Sequence, residues 1–387
     1  MADRQISIFV LVDALGWPLA EMHQFLADAL PYRKPLRTIL GYSSGAIPTI
    51  LTGIPPAAHG HWNLVYYDPS GSPFRWLRHF QFLPNFVLNH RVTKKILKEF
   101  GQHVLGLGPL FECCVSPRYL PWFNWSERKS IYSPMGIESR FTVFDLLVQK
   151  HIPHRVYTYH HLTDPQILKQ AKHDLQNGNA SFFFIYLSEL DHVLHFHDLG
   201  SGEVRDRLSW YGKQLGEIFR VAQDCSQDFT FTVCSDHGMT HVDHRYDLVS
   251  EVEAISLSQP DDYLAVYDST MGRFWFFNAQ AREEITARLN TLPCGRILPD
   301  EELDELGILF PDRRYGELIF LLNPGWMAAR SNFNGNGWNP SGMHGYHPED
   351  PYSDAVFLSN RPPAAEMRTI ADLYPLMLAA IEEVVYA

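Results

Sequence analysis

Cysteine is scarce in this chain: five occur among 387 residues, and only Cys113 and Cys114 lie close together. Neighbouring cysteines rarely bridge each other, and no CxxC spacing is present, which excludes a disulfide framework and a cysteine-based zinc site. A reducing compartment fits this usage. Long apolar runs are missing too, since none approaches the roughly 18 residues of a membrane span. The opening Met1-Ala-Asp-Arg-Gln5 leads into an apolar run at Ile6 without the layout of a signal peptide. The expectation is a soluble, cytoplasmic protein. A basic surplus is also lacking: the formal charge is -12, which argues against binding duplex nucleic acid. An anionic substrate stays open, because bound metal ions invert the local field. No internal repeat or low-complexity tract is visible.

What the chain does contain is enough apolar and aromatic side chain for a large core, in one insertion-bearing α/β domain or in two or three domains. Strand-like runs alternate with helical patterns, the mark of βαβ units and a parallel sheet. Residues 6–12 read as a buried strand, 17–30 as a helix, 36–40 as a second strand, and 44–52 as a helix ending at Gly53-Ile-Pro-Pro56. Further on, 154–159 reads as a strand, 164–176 as a helix, 182–190 as a strand, 202–222 as a helix and 229–235 as a strand. Near the end, 354–358 reads as a strand and 369–385 as a closing helix. Two stretches break the alternation. Residues 64–140 are rich in aromatic, proline and basic side chains, and 255–320 read as a small α+β unit. Both are expected as caps over the crevice at the strand C-termini, where open α/β sheets bind ligands. The expected division is a catalytic core of 1–63, 141–254 and 321–387, with 64–140 and 255–320 inserted.

Metal-capable residues stand where the apolar strands run out: Asp13 after Ile6–Val12, Asp191 and His195 after the 182–190 run, Asp236-His237 after 229–235, and His344 in Gly342-Met-His-Gly-Tyr346. Three carboxylates and three imidazoles suffice for two divalent cations. Nineteen histidines are present, so a lone His carries little weight and the arrangement must carry the reading. Asp191 and His195 are four apart, on one side of any helix there; a structural pair is the bland alternative. Asp236 and His237 can face one ion only where the backbone turns, which Gly238 permits; otherwise they are a turn Asp and a surface His. Asp13 ends a very apolar strand, where an unpaired carboxylate is costly. It needs a cation, a basic side chain, or the amides of the helix that follows. Ser43 and Ser44 lie between a strand and a helix, where amides favour a phosphoryl oxygen; one of them could instead be the N-cap.

In combination these motifs resemble the alkaline phosphatase superfamily, in its type I phosphodiesterase/nucleotide pyrophosphatase branch. The resemblance rests on Val12-Asp13, on a hydroxyl ten residues before Gly53, on Thr52-Gly-x-x-Pro-x-x-His-Gly60, on Tyr186-x4-Asp191-x3-His195, on Ser235-Asp-His-Gly-Met239 and on Met343-His-Gly-Tyr346. It implies a central, mostly parallel sheet flanked by helices, an alkaline phosphatase-like three-layer sandwich with inserted caps. It further implies that Asp13, Ser43, Asp236 and His237 hold one metal ion, that Asp191, His195 and His344 hold the other, and that Ser43 is the nucleophile. Asn63 resembles the residue that holds a phosphoryl oxygen, aided by the amides near Ser43–Gly45. Mixed Asp/His/Ser ligation suits zinc, with manganese the second choice.

The chain departs from the nucleotide-hydrolysing pattern in having Ser43 for the usual Thr, Gly45 for a Pro and Asp13-Ala14 for Asp-Gly. The sulfatase Cys/Ser-x-Pro-x-Arg sequence is absent. The expected activity is hydrolysis of phosphodiester or pyrophosphate bonds in an anionic nucleotide- or lipid-type substrate. Its rivals are a phosphomonoesterase or phosphomutase-like activity, a phosphonate hydrolase, and a silent binding protein that kept the fold. Within 64–140, residues 74–100 gather Arg75, Arg78, Arg91, Lys94, Lys95 and Lys98 among aromatics. This stretch reads as a substrate lid, as a peripheral contact with an anionic membrane, or as an ordinary solvated face.

Overall fold

The strand Ile6–Val12 is buried at all seven positions, so it needs apolar cover on both faces, the situation of a central parallel strand. It lies between Phe182–Leu187 and Phe229–Cys234, parallel to both, with Val12 opposite Leu187 and Leu11 opposite Cys234. The full sheet has six strands in the order Tyr32–Leu36, Ala355–Ser359, Phe229–Cys234, Ile6–Val12, Phe182–Leu187 and His154–Tyr157. Ala355–Ser359 runs against both of its neighbours; the remaining pairings are parallel. This computed structural model describes residues 5–108, 111, 114–138, 140–160, 162–333, 339–363 and 366–386. Cys113 lies outside them, and Cys225, Cys234 and Cys294 are free thiols.

Side-chain alternation divides the core in two. Ile8, Val10 and Val12 pack with the helices Asp164–Gln176 and Gly202–Cys225 on one face. Phe9 and Leu11 pack with Ser43–Thr52, Val143–Gln149 and Leu373–Tyr386 on the other. The result is the expected three-layer arrangement of helices, mainly parallel sheet and helices.

Three elements differ from the sequence reading. The helix expected over 17–30 covers only Trp17–Met22, because Gln24 and Leu26 adopt positive φ values of 46° and 51°, which a right-handed helix cannot contain. The second strand lies at Tyr32–Leu36 rather than 36–40. It includes Pro35, which is tolerated because this strand is at the sheet edge, where a missing N–H costs no ladder bond. The run expected as strand to 190 stops at Leu187, and a helix, Glu189–Phe196, starts just beyond.

The 64–140 stretch opens with a two-stranded pairing of Val65–Tyr67 against Phe123–Trp125 and carries the helix Arg91–His103. Tyr263–Tyr267, Met271–Phe276, Gly295–Ile297 and Leu318–Leu322, the last running two residues past the expected end of the 255–320 stretch, form one antiparallel sheet. The two stretches share a core: Phe74, Leu77, Leu97 and Trp125 pack with Leu264, Val266 and Trp275. Ile131, Tyr132 and Ile137 pack instead with the central sheet.

Candidate active site

Three adjacent parallel strands end side by side, and their C-terminal ends supply most of the site. Asp13 follows Val12, and its amide continues the ladder to the Leu187 carbonyl at 2.9 Å. Asp236 and His237 follow the strand ending at Cys234. The Asp236 carboxylate accepts from the His237 amide at 3.1 Å and the Ala14 amide at 3.5 Å, while Thr38 holds its main-chain carbonyl at 2.6 Å. Gly238 is required by space and not by conformational freedom: its φ lies outside the left-handed region, but a Cβ there would sit 2.1 Å from the Tyr352 carbonyl. Ala14, where the family pattern has Gly, takes a positive φ of 60°.

Helix geometry carries the second group. Asp191 and His195 lie one turn apart in Glu189–Phe196, with Asp191 Oδ2 and His195 Nε2 at 3.3 Å. His344 Nε2 is 3.7 Å from the other Asp191 oxygen. Donor atoms of Asp191, His195 and His344 all lie within 4.8 Å of one another, and so do those of Asp13, Asp191 and His237. Asp191 therefore reaches both groups. Asp236 and Ser43 adjoin the second of them through His237, whose Nε2 is 3.4 Å from Asp236, 3.4 Å from Asp13 and 3.1 Å from Ser43 Oγ. Every metal-capable residue singled out in the sequence thus arrives in one place.

The imidazoles are oriented by main-chain carbonyls. His237 Nδ1 meets the Gly238 carbonyl at 2.9 Å, and His195 Nδ1 meets that of Gly342 at 2.8 Å. With Nδ1–H donating in each, Nε2 presents its lone pair to the cluster, as a metal ligand must. The His237 and His344 rings stack 3.7 Å apart at 11°. Burial and the neighbouring His237 hold the pKa of His344 well below the usual imidazole value. For Asp191 burial favours the neutral acid, but His195, His344 and His237 outweigh it and hold the carboxyl below its ordinary range. Asp13 is pushed well up by burial and by the carboxylates Asp236 and Asp191. Its carboxylate accepts a hydrogen bond from the Tyr186 hydroxyl and none from the helix that follows, so the helix-amide alternative is set aside.

Asp13 Oδ1, Asp191 Oδ1, Asp236 Oδ2 and His344 Nδ1 are buried without a hydrogen-bond partner. Four orphaned acceptors or ring nitrogens in one basin are expensive unless a cation satisfies them. Three carboxylates and three imidazoles are also the donor types that divalent zinc or manganese takes. The residues fit a metal centre.

The serines separate cleanly. Tyr42 occupies the N-cap of the helix Ser43–Thr52, so neither serine caps it. Ser44 Oγ is committed to the Trp62 carbonyl at 3.0 Å, whereas Ser43 Oγ faces His237. The Gly45 amide is spent on the Tyr42 carbonyl at 2.8 Å, so of the amides expected to meet a phosphoryl oxygen only those of Ser43 and Ser44 remain. Asn63 is 2% exposed, and its Nδ2 has no partner. Ser43, Ser44 and Asn63 line one cavity of about 490 Å³ together with Asp191, His195 and His344.

The rest of this wall was not visible in the sequence. Tyr42, Tyr132, Tyr159 and Phe333 supply aromatic surface, and both inserted stretches contribute, through Glu127 and Tyr132 on one side and Asp268 and Ser269 on the other. Burial pushes the Glu127 carboxyl up to about 7. The turn after Tyr267 is pinned to the site: Thr270 Oγ1 lies 2.8 Å from the Tyr42 hydroxyl and donates to the Gly345 carbonyl at 3.0 Å, and the Thr270 amide donates to Tyr42 at 3.0 Å. Beside it, Asp268 and the fully buried Arg273 form an ion pair at 2.6 Å. Tyr186 stood in a recognised motif, but only the strand register, which sets Tyr186 beside Leu11, shows that it reaches Asp13.

Comparison with known proteins agrees with this fold. No curated protein sequence matches the chain. Solved structures do: human ectonucleotide pyrophosphatase/phosphodiesterase 5 superposes with a TM-score of 0.68 at 13% identity, covering 97% of this chain and 94% of that one. An inactive variant of the murine protein, in complex with AMP, gives 0.69 at 14% identity, covering 98% and 95%. At such identities the likeness establishes the fold. The family model of type I phosphodiesterase/nucleotide pyrophosphatase matches residues 42–347. With most of its length matched, the chain belongs to the type I phosphodiesterase/nucleotide pyrophosphatase family of the alkaline phosphatase superfamily, and is an enzyme of that kind.

Proposed function

We propose that the enzyme cleaves phosphodiester or pyrophosphate bonds of a nucleotide-type substrate through a phosphoseryl intermediate on Ser43, with two divalent cations, zinc in preference to manganese. The observation that carries this reading is the position of Ser43 Oγ, 3.1 Å from His237 Nε2, at the edge of a basin of carboxylates with orphaned oxygens. Asp13, Asp236, His237 and Ser43 would hold one ion, and Asp191, His195 and His344 the other, with Asp191 close enough to serve both. When bound, the cations would supply positive charge that lowers the pKa of the attacking hydroxyl and stabilises the departing oxygen.

The chain's own residues do the rest. Ser43 Oγ attacks phosphorus, forming a Ser–O–P bond as the P–O bond to the leaving group breaks. Asn63 Nδ2 and the Ser43 and Ser44 amides donate to the non-bridging oxygens, where charge builds. A water molecule then attacks the phosphoseryl group in line; the Ser–O–P bond breaks, the phosphorylated product leaves, and Ser43 Oγ regains a proton. The AMP bound to the murine relative, and the aromatic wall of Tyr42, Tyr132, Tyr159 and Phe333, support a nucleotide over a simple monoester.

The test is steady-state kinetics on bis(4-nitrophenyl) phosphate and 4-nitrophenyl phosphate, with enzyme stripped by chelator and reloaded with zinc or manganese. Turnover should favour the diester, vanish on stripping, and return on reloading. Ser43→Ala should lose on the order of 10³-fold or more in kcat while binding close to the wild-type amount of metal. A preference for the monoester would sink the diester assignment, and an active Ser43→Ala would sink the nucleophile.

A further inference from the structure

The site makes no use of the outer face of 74–104, and that face is unusual. Eight of the sixteen large apolar side chains that are exposed among the described residues lie between Trp76 and Val104. Phe82 and Phe86 are the barest of all, at 78% and 77% exposed. Three of these side chains form a continuous row that reaches the helix Arg91–His103. Phe82 packs on Phe80, Phe80 on Trp76, and Trp76 on Phe100, with ring centroids 6.4, 5.8 and 5.9 Å apart. Phe100 continues the i, i+4 line of Val92 and Ile96 along the helix Arg91–His103.

The charge on this face opposes that of the molecule. Residues 74–104 contain Arg75, Arg78, Arg91, Lys94, Lys95 and Lys98 against a single acidic residue, Glu99, in a chain of net charge -12. Arg91 and Lys95 run one helical turn apart beside the Val92–Ile96 line. Arg91, Lys94 and Lys95 form no ion pair among the described residues.

We propose that the 74–104 face is a membrane-docking surface, seating the enzyme peripherally on a bilayer that contains anionic lipid. Exposed aromatic and aliphatic tips flanked by lysine and arginine match the two layers of such a surface, acyl chains below and anionic headgroups above. Nucleic acid would use the cations and the rings but leave Val92 and Ile96 facing water. No described helix is long and apolar enough to cross a membrane, so this attachment lies on the surface. The docking face is fixed to the reaction chamber: Phe74, Leu77 and Leu97 share a core with Val65 and Trp125, and the same stretch supplies Glu127 and Tyr132 to the pocket wall.

Vesicle co-sedimentation of the metal-loaded full chain tests this, with vesicles of phosphatidylcholine alone and of phosphatidylcholine mixed with phosphatidylglycerol. Binding should appear on the mixed vesicles and fall as salt rises from ~50 to ~500 mM. The double variants Phe82→Asp/Phe86→Asp and Lys94→Glu/Lys95→Glu should each weaken it by about 10-fold or more. Their turnover of a soluble aryl diester should stay at the wild-type level, which also reports correct folding. Absence of binding to either vesicle, or equal binding by wild type and both variants, overturns the proposal. So does a wild-type dimer that Phe82→Asp/Phe86→Asp converts to monomer without any vesicle binding, since the face would then join two copies of the chain.

Discussion

Tyr186→Phe is the sharpest test of how the fold prepares its carboxylates. The Tyr186 hydroxyl donates to Asp13, an acid 6% exposed whose other oxygen has no hydrogen-bond partner. Burial, Asp236 and Asp191 all push the Asp13 pKa up, and the Tyr186 hydrogen bond opposes them. A hydrogen bond to a charged group contributes about 1.5–3 kcal/mol, so its loss should raise the Asp13 pKa further. A metal ion binding there competes with the proton, and loss of an orienting partner outside the ligand shell costs about 10–100-fold in metal affinity. Phenylalanine keeps the ring packing on Tyr132 and Tyr159, so the core should survive. The assay is a competitive chelator titration across pH 6 to 9 beside kcat at saturating metal. Affinity should drop, more steeply at the acid end, while kcat at saturation stays within a few-fold. Unchanged affinity together with a collapsed kcat would show that Tyr186 acts on substrate and not through Asp13.

Ser44→Ala should cost about 1–2 kcal/mol of stability, because the Trp62 carbonyl loses its donor, with activity reduced only a few-fold; inactivation to the level of Ser43→Ala would exchange the roles of the two hydroxyls. Glu127→Gln reports a titration. The folded carboxyl is raised from the ordinary 4.5 to about 7, so the unfolded chain ionises first and wild-type stability falls as pH rises through that window. Urea melts of chelator-treated protein should show the glutamine variant gaining on wild type between pH 4.5 and 7 by at most roughly 3 kcal/mol, and a difference flat with pH would refute the burial argument. Gly238→Ala should destabilise by about 3 kcal/mol or more, because its Cβ meets the Tyr352 carbonyl at 2.1 Å, whereas Gly200→Ala, with nothing within 4 Å, should melt as wild type does.

The parts of the fold legible in the sequence were those where a local pattern and a global role coincide. Ile6–Val12 and Phe182–Leu187 are almost wholly apolar because both faces are covered, and an acid or histidine just beyond such a strand stands out. The helix Asp164–Gln176 was bounded correctly because Thr163 and Gln166 form its capping box. The false extension beyond Met22 had no local warning, since the positive φ of Gln24 and Leu26 is imposed on residues that ordinarily avoid it. The metal-capable side chains were readable because strand ends are fixed by topology. Glu127, Tyr132 and Thr270 were not, since nothing near a carboxylate in sequence tells that it will close a wall built from another part of the chain. Gly238 was found for the wrong reason: the turn needs room beside Tyr352, which depends on a segment more than a hundred residues away.

The Thr270 contacts carry a consequence for how such an enzyme changes substrate. One threonine ties the turn bearing Asp268 and Ser269 to Tyr42, next to Ser43, and to Gly345, next to His344. A graft of the 255–320 stretch from a relative would therefore alter that part of the cavity wall and disturb Ser43 and His344 in the same stroke. Donor and recipient are interchangeable only if Tyr42, Thr270 and the Gly345 carbonyl travel as one unit, so this tripod is the seam along which specificity in this scaffold can be recombined.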